Sequence, residues 1–596
     1  MFIFYIAEWI IIIINIYKID NILRMEGEEP EMMQEEDPMM MGEENSMGDK
    51  SLGSSTSFAS DKTRFYLKKD QFGETVGEPP SYDCCFVASL YILAITAGLL
   101  QGYQVGIIAG LELFVADEYK DLKQDIGSHE RELFVAIFSL GAAFGSLFSG
   151  EISDKIGRKW IILLGDALVG AGFLIIVFGK KIGVGYVGRC VSGVGSGFLS
   201  FVIPVYLGEV GPQKWTKLSQ SIFGFSSGIG MIGGLDLAIP FRHHWKLLFK
   251  LGLIPVVAQV LFTCFMPESH MYYINNGNDE EALKILKNSM DEGDAEKELS
   301  ILKYERQFFF GDGVTFAKKW GDLFSTYAKP FFISIGMSTF AQLIGISAFL
   351  YYGSDIFEQA GNDLEGIQER EEASDILDNF VVGTYVFGNI ISAIIIPLTG
   401  RKWILIVGLP TIFVSLIGLS YTMHEANYGD QNDSDKLDQE EYKHTDRAAF
   451  LFFLMLYVLA ASIGFSGAVS GITSEIIPNY LLGTAVSLSS FTGWITNFII
   501  NLFFLDFLDD PQGKWYVFLI LAFNVVLAYL FVTLCVPETI NKTIKENLIQ
   551  IIGPEYKKQQ VKMRKEYNIK FVNVKNERIQ AEIDSRKDTY LALNSI

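Results

Sequence analysis

The chain has 596 residues, 49% of them hydrophobic and 14% aromatic, and a formal charge of −22. That charge excludes a nucleic-acid binder, which needs a basic face. The five cysteines show neither metal-ligand spacing nor a disulfide framework, and no phosphate-cradling loop, histidine cluster or nucleophile motif points to an enzyme, a cofactor or a metal.

The apolar residues are concentrated in runs such as Trp160 to Phe178, about the 20 residues of helix that cross a bilayer. The first 17 residues are mostly apolar, but they lack a basic leader and a small-residue cleavage site. Met25 opens an acidic, methionine-rich stretch, and we expect it to mark the true start. Spans are expected near 86–112, 132–150, 160–178, 182–206, 218–239 and 245–266, and again near 330–355, 378–398, 402–423, 449–473, 481–505 and 515–536. The expected organisation is a tail (1–85), a six-helix half (86–266), a helical linker (267–329), a second six-helix half (330–536) and a tail (537–596).

Basic residues in short loops set the orientation. Lys155, Arg158 and Lys159, then Lys214 and Lys217, then Arg401 and Lys402 put the loops after spans 2, 4 and 8 in the cytosol, with both tails; Lys180 and Lys181 oppose this. Asn432-Asp433-Ser434 is a glycosylation sequon in a loop expected outside. Glycines at 141, 145 and 150 in span 2 and at 193, 195 and 197 in span 4 predict close helix packing.

After span 2 the chain reads Gly150-Glu151-Ile152-Ser153-Asp154-Lys155-Ile156-Gly157-Arg158-Lys159. This resembles the signature loop of the major facilitator superfamily. Gly102-Tyr103-Gln104-Val105-Gly106, Gly188-Arg189, Pro204 to Pro212, and the paired exits Pro267-Glu268-Ser269 and Pro537-Glu538-Thr539 narrow the resemblance to the sugar porter family. It implies an all-α membrane protein of twelve transmembrane helices in two six-helix halves. It further implies a multi-pass protein, here assigned to the plasma membrane, whose partners are the lipid bilayer and a small neutral sugar moved by alternating access. The oligomeric state is left open.

A sugar presents hydroxyls and C–H faces, so its site needs amides, hydroxyls and aromatic rings. The span 7 stretch Ala341 to Tyr352 is similar to the family's sugar-contacting helix. The resemblance makes Gln342, Ser347, Tyr351, Trp494, Asn497, Asn389, Gln104 and Gln220 the substrate-binding candidates. Asp154, Gly157, Arg158, Lys159, Glu209, Arg401 and Glu475 would form ion-pair latches on the cytosolic side. The chain departs from the family pattern at Ala341, Ser347, Gly224 and Ser470, which weighs against glucose itself and against tight affinity. Pro397 stands where an acid is common, which weakens the second latch. Gln104 replaces the aspartate of proton-driven relatives; glutamine cannot titrate, so facilitative uniport is expected, with symport or a transport-inactive sugar sensor as alternatives. Asp236 is the acid that could substitute for it.

Overall fold

The computed structural model describes residues 84–111, 128–241 except 212, 244–310, 316–356 except 354, 367–428, 438–465, 468–509, 513–540, 542, 544–553 and 556. The apolar start, the acidic stretch after Met25, the sequon and most of the C-terminal tail lie outside them.

Twelve helices among the described residues are long and apolar enough to cross a membrane. In the first half these are span 1 (Phe86–Ala109), span 2 (His129–Ile156), span 3 (Arg158–Phe178), span 4 (Ile182–Val210), span 5 (Ile222–Phe241) and span 6 (Trp245–Phe265). The second half holds span 7 (Ala328–Tyr351), span 8 (Asp375–Ile396), span 9 (Arg401–His424), span 10 (Ala448–Phe465), span 11 (Tyr480–Asp509) and span 12 (Lys514–Cys535). Their outward faces carry Phe178, Phe265, Phe387 and Leu534, exposed as lipid-facing side chains should be.

Two spans are broken, and each break has a chemical cause. Pro255 cannot donate a helical N–H, and span 6 divides at Gly252 into Trp245–Leu251 and Leu253–Phe265. The Tyr103 hydroxyl donates to the Leu248 carbonyl at 2.7 Å beside this break. Span 7 divides at Gly345, whose φ of +87° is left-handed, into Ala328–Leu343 and Ile346–Tyr351. The Tyr457 hydroxyl donates to the Ile344 carbonyl at 2.6 Å, so span 10 takes up a group the break releases. Broken helices persist in a membrane only when neighbours satisfy the backbone in this way. Among the described residues span 10 runs to Phe465, and Ala468–Ile476 is helical as well.

Glycine decides the closest packing in the first half. A Cβ on Gly172 would meet the Gly188 carbonyl oxygen at 2.6 Å, which brings spans 3 and 4 backbone to backbone. Between the halves runs a linker of four short helices, His270–Asn275, Asp279–Ser289, Glu292–Phe310 and Phe316–Phe324. Ser269 and Asn278 cap the first two through bonds to Met271 N and Glu281 N. Ile274, Ala282, Leu286, Met290, Ala295 and Leu299 give the linker its own small core.

Spans 2 and 11 run antiparallel along one seam between the halves. Nearest the linker, Gly150 N donates to Ser487 Oγ at 3.0 Å. In the middle, Ser139 Oγ donates to Asn497 Oδ1 at 2.6 Å, and at the far end Asp506 N donates to Glu132 Oε1 at 3.0 Å. The seam is therefore closed from end to end.

Candidate functional site

The break in span 7 places Gln342 at the end of its first piece, opposite span 11. Asn497 Nδ2 donates to Gln342 Oε1 at 2.8 Å. Asn497 Oδ1 accepts from Ser139 Oγ and also from Asn501 Nδ2 at 2.8 Å. This chain of neutral groups joins span 2 of one half to spans 7 and 11 of the other. Asn497 is buried and Gln342 is half-buried.

Trp494, one turn from Asn497, meets Phe138 edge to face with centroids 6.2 Å apart. The Arg189 guanidinium carbon lies 4.6 Å from the centroid of the same Phe138 ring, a cation–π contact. Arg189 Nε donates to the Phe134 carbonyl at 3.3 Å, while Nη1 and Nη2 are buried without hydrogen-bond partners. Phe138, Ser139 and Asn501 escaped the reading of the sequence, because only the antiparallel register of spans 2 and 11 brings them to this place.

The other candidates are placed differently. Gln104 is buried and exchanges two hydrogen bonds with Ser196, of 2.9 and 3.2 Å. Ser196 lies two helical turns along span 4 from Arg189, so Gln104 is paired within the first half. Ser347 and Tyr351 are buried on the second piece of span 7, and Ser347 Oγ has no partner. Asn389 on span 8 is buried with its Oδ1 unpartnered. The side chains of Gln220 and Ser470 lie outside the described residues. Gly224, where the family pattern has glutamine, adjoins open space: an added Cβ meets nothing within 4 Å. The same holds for Gly383 on span 8, and between them Gly228 of span 5 packs on Val386 of span 8.

The loop motifs form two related clusters at the linker end. Gly157 (φ +111°) and Gly400 (φ +86°) turn the chain tightly between spans 2 and 3 and between spans 8 and 9. The Glu268 carboxylate lies against Gly157 and accepts from Arg158 N at 2.8 Å and from Lys159 N at 3.2 Å; Glu538 holds the equivalent place beside Gly400. Burial raises the Glu268 pKa, and these backbone donors work against the rise. Arg158 grips Glu209 through Nε and Nη2, both at 2.9 Å, and Asp154 through Nη2 at 2.9 Å. Lys159 Nζ instead donates to the Cys264 carbonyl at 2.8 Å and stays outside the carboxylate cluster. Asp154 also receives Lys319 Nζ of the linker at 2.6 Å.

In the second half Arg401 pairs with Glu475, its Nε is buried without a partner, and the guanidinium fills the space a Cβ on Gly471 would take. Two carboxylates thus hold Arg158 where a single ion pair is described for Arg401. Gly471, another residue the sequence did not single out, leaves room for Arg401 because it has no side chain.

The model of the family described as "Sugar (and other) transporter" matches residues 90–548, spans 1 to 12 with both exit motifs. The chain belongs to this family. It is accordingly a multi-pass membrane transport protein whose cargo class is a small sugar, and it is not an enzyme. The chain is 26% identical to myo-inositol transporter 1A of Cryptococcus neoformans var. grubii over 78% of its length and 81% of that protein's. It is equally 26% identical to the glucose transporter GlcP of Staphylococcus epidermidis, over 77% and 95%, and to the galactose-proton symporter of Escherichia coli, over 76% and 91%. A solved structure of the proton:xylose symporter XylE superposes with a TM-score of 0.65 at 20% identity, covering 79% of this chain and 99% of that one. The fold of this family member is therefore that of the major facilitator superfamily.

Proposed function

We propose that the chain is a facilitative uniporter of a small neutral, hexose-like sugar, working by alternating access. The observation that carries this reading is the neutral chain Ser139–Asn497–Gln342, flanked by Trp494, at the meeting of the two halves. Amides and hydroxyls suit a ligand whose groups both donate and accept, and an indole suits its C–H face. Gln342, Asn497 and Trp494 would bind the sugar. Ser347 and Asn389, each with an unpartnered buried oxygen, and Tyr351 would complete the site as the halves rock. The two tails and the linker would lie in the cytosol, with the plasma membrane as the working membrane. If Gly224 lines the sugar's path, the open space beside it would leave more room than a family pattern with glutamine there, in keeping with a cargo other than glucose.

Uniport is supported by Gln104, which holds Ser196 through two neutral bonds and has no proton to exchange. Proton symport is favoured by one observation: Asp166 of span 3 is 0% exposed and neither carboxylate oxygen has a partner. Intramembrane carboxylates of this kind serve proton relays. Asp236, by contrast, is exposed. Sugar uptake into proteoliposomes with and without an imposed proton gradient separates the two. We expect equilibration that ignores the gradient; accumulation above equilibrium that disappears in Asp166→Asn would overturn uniport. No uptake of any hexose, pentose or polyol would overturn the transport reading in favour of a sensor.

A further inference from the structure

Three side chains that the central site does not use meet where spans 2 and 11 end, at the face opposite the linker. His129 and Glu132 occupy the first turn of span 2, three residues apart and hence on one helix face. Asp506 lies in the last turn of span 11. His129 Nδ1 is 3.8 Å from Glu132 Oε2 and 3.7 Å from Asp506 Oδ2, and the three ligand atoms all lie within 4.8 Å of one another. Glu132 is 0% exposed. Its Oε1 accepts the Asp506 backbone N–H, but Oε2, the oxygen that faces the imidazole, is buried with no hydrogen-bond partner. A buried carboxylate oxygen left unsatisfied is costly.

We propose that His129, Glu132 and Asp506 form a binding site for a divalent transition-metal ion of the zinc class, and that the bound ion fastens the two halves together at this end. One imidazole nitrogen and two carboxylate oxygens are a donor set that zinc accepts, with a fourth position left to water. In a tetrahedral site with bonds of about 2.1 Å, ligand atoms stand about 3.4 Å apart. The two histidine–carboxylate separations, 3.8 and 3.7 Å, are close to that value, and all three ligand atoms lie within 4.8 Å of one another. Two carboxylates balance the ion's charge, while magnesium and calcium would require more oxygen ligands than the cluster supplies. The His129 and Asp506 side chains are 64% and 45% exposed, so an ion can enter from water, and the buried Glu132 anchors it. His129 and Glu132 belong to one half and Asp506 to the other. The complete donor set therefore exists only while the seam is closed here, and an ion that binds only that state shifts the population toward it.

The effect on transport rests on the uniporter reading, but metal binding does not, so the two are measured separately. Full-length protein without a histidine tag, in nanodiscs, is titrated with zinc chloride and with magnesium chloride by calorimetry. The expected result is one zinc ion per chain, bound at least tenfold more weakly in His129→Gln and in Asp506→Asn, with no magnesium binding at the same concentrations. Equal zinc affinity in all three proteins, or magnesium binding as tight as zinc, would overturn the site. In proteoliposomes zinc should inhibit sugar uptake at least fivefold in the parent chain and leave His129→Gln unaffected. Zinc binding that leaves uptake unchanged would overturn the fastening role while sparing the site.

Discussion

Ser139 of span 2 donates its hydroxyl to Asn497 of span 11 at 2.6 Å, so the residue that orients Gln342 is itself held from the opposite half. In the proposed site, sugar binding and the closure of the seam would therefore be coupled through one side chain. Gln342→Ala removes an acceptor of Asn497 and a candidate sugar ligand; a lost buried hydrogen bond of about 1–3 kcal/mol corresponds to roughly tenfold to a hundredfold weaker affinity. Ser139→Ala is milder, at about 1 kcal/mol, because Asn497 Oδ1 keeps its bond from Asn501. Equilibrium binding of labelled sugar to purified protein checks both, and unchanged affinity in Gln342→Ala removes that residue from the site.

Gly150 faces the second half with no room for a side chain. A Cβ there would meet Ser487 Oγ at 2.6 Å and the Gly483 carbonyl oxygen at 2.8 Å, and the carbonyl belongs to the backbone of span 11 and cannot rotate aside. Gly150→Ala should wedge the linker end of the seam open. The expected readout is a several-fold rise in thiol labelling of a cysteine placed at Ser487, with overall helix content unchanged.

Gly471 makes room for Arg401: a Cβ there would collide with the guanidinium. Gly471→Ala should displace the flexible end of Arg401 and strain its pair with Glu475, at a cost of about 1–3 kcal/mol, the usual range for a small-to-large change in a packed site that leaves both charges in place. Arg158→Ala should be more damaging, at about 3–5 kcal/mol, because it leaves the Asp154 and Glu209 carboxylates without their shared cation. Thermal melting of the two variants in detergent tests the ranking. A Gly471→Ala protein as unstable as Arg158→Ala would show that the halves are latched equally.

His270 is buried at the start of the linker, and burial, with Arg158 nearby, pushes its imidazole pKa down to about 4 from an ordinary value near 6.5. The folded protein thus holds this histidine neutral while the unfolded chain takes up a proton more readily. Stability from this group is fully present above pH 6.5 and is lost as the pH falls toward 4, by about 3 kcal/mol at most. His270→Gln should flatten the decline in melting temperature between pH 7 and 4.5. An identical decline in the variant would assign the acid sensitivity elsewhere.

The twelve spans were legible because bilayer thickness fixes the length of an apolar run whatever its neighbours are. The tight turn at Gly157 was legible for a similar reason, because it is local chemistry, and the repeated Pro-Glu exits were legible as a family resemblance; that Glu268 accepts from Arg158 N, 110 residues away, was not. Local sequence does not decide which side chain meets which across the seam. Ser139 and Asn497 are 358 residues apart, and Glu132 and Asp506 are 374 apart. Their contact follows from the register of two antiparallel helices, which depends on all the packing between the halves. For the same reason the partner of Gln104, Ser196 on span 4, could not be read from the sequence. Gly471 gave no signal because its role is to be absent where Arg401 lies. The chain by itself determined a membrane-spanning, sugar-porter-like protein, since solvent and chain length dictate that much. Only the tertiary structure decided which polar groups share the interior, because a buried side chain in a bilayer must find its partner across space and not along the sequence.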